Sequence, residues 1–254
     1  MNKLIRAEWI KFSTLRSNTI LLAVGVVLNV AVLVFGLVFF NRSLGPGDPV
    51  TDIDTRISAV TSPLEMLATV LGILAVMVTA SEYKSKTVIP SFAAAPIRSE
   101  VIGAKGILVA MVSFTTAVVL AVVNLVAGAV TLDAQGFPLD LADDHLVQAV
   151  SGAVIYVTLA ALFGFGLGVL LKSPVLSVIL VVAIPNVVEP ALAGFLPDWI
   201  ERFLPFSAGG ALAAPGGTDR LSAWEGGGVL GLWALVLIVV AILVFERRDL
   251  GNTD

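Results

Sequence analysis

The chain has 254 residues, 57% of them hydrophobic and 13% charged, with a formal net charge of −4. Soluble domains lie nearer about 45–50% apolar and about 25% charged, so a large soluble core does not explain this excess; apolar runs of about 20 residues point to lipid. With no cysteine and one histidine, His145, the chain excludes disulfides, thiolate or histidine-cluster metal sites and most histidine-based catalysis.

Residues 3–17, KLIRAEWIKFSTLRS, come first. At about 100° per residue, Leu4, Ile5, Trp9, Phe12 and Leu15 fall within one arc of about 140°, outside which lie Lys3, Arg6 and Lys11. This predicts an amphipathic helix lying in the membrane interface; the plainer reading is a positive-inside anchor with no further role. Glu8 projects into the middle of the apolar arc, where contact with lipid is costly. A protein partner for Glu8 is therefore expected, such as the segment 81–100. The first span covers about 19–40. It is too long for the apolar region of a signal peptide, its leader is too long and no small-residue cleavage pattern follows, so it is read as a membrane anchor.

The second span, about 64–80, is marginal for a hydrocarbon core of about 30 Å unless flanking residues join it. Ser62, Pro63 and Glu65 have the spacing of a cap, a first-turn proline and a capping-box carboxylate. After it comes SEYKSKTVIPSFAAAPIRSE (81–100), with both charge signs, Tyr83 and a short apolar face interrupted by Pro90 and closed by Pro96. A loop that merely sets topology needs only a few basic residues; this composition suits docking to a cytoplasmic protein. The third span, about 101–131, has Ser99 as its expected cap. Asn29 and Asn124 lie within spans and are expected to form interhelical hydrogen bonds.

The fourth span, about 146–171, follows His145, which is expected to be solvated in an acidic loop. It carries Ala160, Gly164 and Gly168 on one ridge, plus Gly166, which predicts close helix packing. No Gly-Lys-Ser/Thr follows these glycines, so they are not a phosphate loop. Ser173 and Pro174 start the fifth span, about 174–196. Its AIPNVVEPALAGFLPDW places Pro185, Pro190 and Pro197 around Asn186 and Glu189. Pro174 to Val188 makes roughly 22 Å of helix, short of a crossing, and each proline removes a helical bond. The helix is therefore expected to break near 185–190, with Asn186 and Glu189 meeting freed backbone groups beside water. Residues 190–206 would form short elements dipping back, with Asp198 as a cap and Trp199 at the interface. A kinked but complete span is the alternative. The sixth span covers about 227–245.

The N-terminus, loops 2–3 and 4–5, and the C-terminus share one side, which carries 11 of the 15 Lys and Arg residues. That excess places both termini and the segment 81–100 in the cytoplasm. The fold class expected is all-α: a single polytopic domain, 1–254, with six transmembrane helices.

This order of parts resembles the membrane (permease) subunit of a type-2 ABC (ATP-binding cassette) transporter of the exporter kind. The resemblance rests on AEWIKF (7–12), ASEYKSKTV (80–88) with APIRSEVIGAKG (95–106), LPFSAGGAL (204–212) and FERRDL (245–250), and covers nearly the whole chain. It implies that residues 3–17 are an elbow helix, with Glu8, Trp9 and Phe12 in it. It implies that residues 82–98 include a coupling helix on the ATPase, with Glu82, Tyr83, Lys84, Lys86, Thr87 and Arg98 as coupling residues. Two copies of six spans, identical or from a sister subunit, would line a path with spans 2 and 5, where Thr69, Ile73, Asn186 and Glu189 lie. A re-entrant outer element would follow span 5.

The chain has no Walker A pattern, so a separate P-loop ATPase would bind ATP and magnesium, with no cofactor bound directly by this chain and no nucleic acid among its partners. The resemblance also implies export of a hydrophobic or amphipathic substrate across a cell (plasma) membrane, in a bacterial setting. Two other readings remain open: a stand-alone secondary transporter or channel, and a non-transport assembly or sensor partner. Membrane-embedded acids or inverted repeats would favour a secondary transporter, but only Glu189 lies near a membrane interior and no repeat is visible. An enzyme is the weakest reading, because no nucleophile–base pair or metal cluster is seen.

The charge asymmetry makes a direct prediction. Reporter fusions at Asp254 and within the loop 132–145 should report opposite sides of the membrane, and a C-terminus on the outer side would mean the spans are miscounted.

Overall fold

The structure, a computed structural model, describes residues 2–43, 53–84, 98–213 and 221–250. It is helical, with no strand among the described residues. In chain order, α1 is Asn2–Thr14, α2 Arg16–Ser43, α3 Ile53–Lys84, α4 Arg98–Ala134 and α5 Asp144–Leu171. Then come α6, Pro174–Ala193, and two short helices, α7 (Asp198–Glu201) and α8 (Pro205–Ala213), before α9, Ala223–Leu250. Six of these, α2 to α6 and α9, are long and apolar enough to cross a membrane.

Helices α3 and α5 form the centre. The apolar windows of these two are 67% and 61% buried, against 17–33% for the other four. Small residues make this possible. A Cβ added at Gly164 would lie 2.6 Å from the carbonyl oxygen of Gly72 and 3.0 Å from its Cα. One added at Gly168 would meet Thr79 and the backbone of Val76, and one at Gly72 would face the carbonyl of Ala160. The ridge Ala160–Gly164–Gly168 is thus the α3–α5 seam, as expected. Gly166 points the other way, toward Leu237 on α9.

Two helix starts differ from expectation. Pro63 lies inside α3, which begins at Ile53, so Ser62, Pro63 and Glu65 are not a helix start. The lost backbone bond at Pro63 is outweighed by a continuous buried stripe, Ile57, Val60, Leu64 and Leu67. The added length makes the second span ample. Likewise α4 starts at Arg98, so Ser99 lies within it. Other boundaries follow local chemistry. Ser173 caps α6, accepting from the Leu176 N–H at 3.4 Å, with Pro174 in the first turn. A reciprocal capping box starts α9: the Ser222 N–H and hydroxyl donate to Glu225, and the Glu225 N–H donates to the Ser222 oxygen. His145 is exposed, and its backbone N–H donates to the α5 cap Asp143 at 2.7 Å.

Asn124 makes its expected interhelical bond, donating to the Val60 carbonyl at 3.3 Å. Asn29 does not: it is fully buried, and neither amide atom has a hydrogen-bond partner. One turn before it, Gly25 faces the side chains of Leu67 and Val70, and one turn after it, Leu33 packs with Leu132.

The α3–α5 seam is open to test. Gly164→Leu should force the two backbones apart and destabilise the protein by about 3 kcal/mol or more. Gly36→Ala, where an added Cβ meets nothing within 4 Å, should leave the unfolding temperature in detergent unchanged.

Candidate functional site: a polar cavity and a buried seam

The fifth spanning helix sets the geometry of the cavity. It is α-helical over Pro174–Ala183, widens into a π turn over Ile184–Val188 and resumes as an α-helix over Glu189–Ala193. In the π turn the Glu189 N–H donates to the Ile184 carbonyl, one residue further back than in an α-helix. The Asn186 side chain donates to the Val182 carbonyl at 2.8 Å. The expected break near 185–190 is therefore a widening: the helix absorbs Pro185 and Pro190 and ends at Gly194. Asn186 does meet a backbone carbonyl, as the sequence suggested.

Glu189 is buried and fully engaged. One carboxylate oxygen accepts from the Phe206 N–H at 2.9 Å; the other accepts from the Ser207 N–H at 2.6 Å and the Ser207 hydroxyl at 2.8 Å. These amides belong to the first turn of α8, which begins with Pro205. First-turn amides have no partner within their own helix, and a negative charge there is favourable. Glu189 thus caps α8 from 17 residues away. Between them, α7 is preceded by Pro197, and no side chain caps it, so Asp198 is not the cap. Trp199 is exposed, and the Trp233 indole N–H donates to the Phe203 carbonyl at 3.1 Å, tying this stretch to α9.

A cavity of about 560 Å³ lies against these elements. Glu65 and Thr69 of α3, Tyr156 of α5, Asn186 and Glu189 of α6, and Ser207 of α8 line it beside Met66, Phe206 and the two prolines. Its size and mixed lining suit a ligand of moderate size. Three of the four expected path residues, Thr69, Asn186 and Glu189, meet there. Ile73 does not line it; one turn further along α3, it packs with the cluster of Val76, Phe163 and Val181. Glu65, expected as a capping carboxylate, lines the cavity instead. It precedes Thr69 by one helical turn, so the shared face was readable once α3 was known to extend past it. Tyr156 and Ser207 carried no such signal.

At the other end of α3, α1 packs on α4. Glu8 is buried there, and its oxygens accept from Lys105 at 2.6 Å and Lys11 at 3.1 Å. The expected partner for Glu8 thus exists, but it is Lys105 in α4 rather than a residue of 81–100. Phe12 is buried against Leu71, Leu74 and Leu108, and the exposed Trp9 stacks on it with ring centroids 6.1 Å apart. Glu82, Tyr83 and Lys84 close α3, and Arg98 opens α4. Lys86 and Thr87 lie outside the described residues. From Glu65 to Lys84, α3 spans about 28 Å at 1.5 Å per residue. No metal-holding group of three or more His, Cys, Asp or Glu residues occurs among the described residues.

Removing the Glu189 carboxylate should be costly. Glu189→Ala leaves two part-buried amides without their acceptor and takes a buried carboxylate away from them; it is expected to destabilise by about 2–3 kcal/mol, read as a lower unfolding temperature in detergent. Glu189→Gln, which keeps one acceptor oxygen, should cost about half as much.

Residues 4–186 match a family model described as ABC-2 family transporter protein. That stretch runs from α1 into the π turn of α6. No curated protein and no solved structure matches the chain. The match spans 183 of the 254 residues, and six helices are long and apolar enough to cross a membrane; the chain belongs to the ABC-2 family of transporter proteins, as a multi-pass permease subunit of an ABC transporter.

Proposed function

We propose that this permease exports a hydrophobic or amphipathic substrate, using ATP hydrolysed with magnesium by a separate P-loop ATPase subunit. Two copies of the six-helix unit, identical or sister, would enclose the path in a bacterial plasma membrane, with both termini in the cytoplasm. The observation that carries this reading is the shared cavity. Thr69 of the second spanning helix and Asn186 and Glu189 of the fifth line one space, in which carboxylates and hydroxyls alternate with Met66, Phe206 and two prolines. Such a lining fits a molecule with both polar and apolar parts.

In this reading α1 is the elbow helix, and the short elements after the end of α6 at Gly194 dip back from the outer face. Residues 82–98, between the ends of α3 and α4, dock on the ATPase. An ion-coupled secondary transporter is less well supported. It would draw on Glu189 as its intramembrane acid, and both oxygens of that group already hold α8.

Co-purification with an ATPase, followed by a substrate screen on its ATP turnover, tests the reading directly. Glu82→Ala and Arg98→Glu are expected to leave the protein inserted while weakening ATPase association or uncoupling turnover from transport. A lost docking pair that is buried would cost about 2–5 kcal/mol. Normal association and transport in both variants would remove this segment from the mechanism.

A further inference from the structure

The seam between α1 and α4 holds a charge pair that serves stability poorly. The Glu8 and Lys105 side chains are each only 8% exposed, and they meet at 2.6 Å. Lys11, on the other carboxylate oxygen, is 41% exposed. Burying two charges costs several kcal/mol per ion, and their attraction only roughly repays it, so apolar residues of similar size would hold α1 in place at least as well. What apolar contact lacks is a fixed register: two greasy surfaces can slide, whereas a buried pair must stay matched or leave a charge uncompensated.

Its location gives that rigidity a use. Lys105 lies seven residues after Arg98, about 10 Å along α4, and so in its first two turns. One turn past Glu8, Phe12 belongs to one core cluster with Leu71 and Leu74 of α3 and Leu108 of α4. The Phe12 carbonyl accepts from the buried Asn18 side chain at 3.2 Å, fixing the corner between α1 and α2. A rigid path therefore runs from the start of α4, through Lys105 and Glu8, into α1 and on to α2.

We infer that the Glu8–Lys105 pair is a transmission joint. It makes α1 and the first two turns of α4 one moving body, so a displacement delivered at residues 82–98 reaches α1 and α2 as well as α4. Glu8 and Lys105 act as positioning residues. The inference rests on the coupling role proposed for 82–98.

The test separates stability from transmission. The chain has no cysteine, so Gly210→Cys gives a single thiol beside the cavity, at a position where an added Cβ meets nothing within 4 Å. The full chain is reconstituted in lipid vesicles with the ATPase that co-purifies with it. The readout is the labelling rate of that thiol by a maleimide, with and without magnesium ATP. In the otherwise unchanged chain, ATP should change the rate about tenfold, within the usual range of coupling between sites. In Glu8→Met/Lys105→Met the protein should insert, keep its ATPase and unfold at the same or a higher temperature, because both charges leave together. Its ATP-dependent change in labelling should be lost, while Lys105→Arg, which keeps the pair, should retain it. A double variant that still responds to ATP overturns the joint, as does one that fails to insert, since the pair would then serve the fold. If the unchanged chain shows no response to ATP, the coupling role of 82–98 fails first and the joint with it.

Discussion

The backbones of α3 and α5 meet at Gly72 and Gly164, and the rest of the molecule is arranged around that contact. In lipid the hydrophobic effect does not drive helices together, so close approach and dense van der Waals contact must. The seam is long because small residues recur at four-residue spacing on α5, each opposite backbone or a small side chain of α3. The consequence for function lies in α3. This helix carries cavity residues Glu65 and Thr69 toward one end and residues 82–84 at the other, and it is the helix most tightly held by its neighbour. Changes at either end are therefore referred to one rigid centre.

The second constraint is the supply of hydrogen-bond partners where water is scarce. Two prolines within six residues would leave carbonyls unmatched at membrane depth, and the first turn of α8 would leave amides unmatched. The chain answers with a π turn, an amide side chain reaching back to Val182, and a carboxylate that closes the first turn of α8. Two of the polar groups that line the cavity, Asn186 and Glu189, also complete the backbone around it. Structure and site are not separable here: Glu189 both shapes the cavity wall and holds together the two helices that form it.

How much of this was legible depends on how local each cause is. The six spans and the cap at Ser173 follow from runs of apolar residues and nearest-neighbour chemistry, and both appear in the structure. Glu8 was legible as a misfit, because a carboxylate in an apolar arc demands a partner, yet nothing local says that the partner is 97 residues away. Pro63 shows the opposite failure. Its local signal for a helix start is clear, and it loses to a buried stripe that only the packed bundle creates. The proline cluster marked an irregular helix correctly, but the choice between a break and a widened turn depends on one extra residue being absorbed, and composition does not encode that. Asn29 is a further case: a polar residue in a span suggests a hydrogen bond, whereas neither of its amide atoms has a partner.

The reversal between α5 and α6 has a mechanical meaning. Lys172 adopts a left-handed backbone, with φ of 54°, and only it and Ser173 separate the two helices. Just beyond the turn, the Ser177 hydroxyl donates across to the Leu167 carbonyl at 3.3 Å, so the base of the pair is stitched as well as tightly folded. A hairpin closed in this way does not pivot at its root. Bending in α6 is left to the point where its regular bonding lapses, the π turn, about 15 Å up from the base at 1.5 Å per residue. The helix is thus a stiff post with a compliant tip, and the tip is the part that borders the cavity.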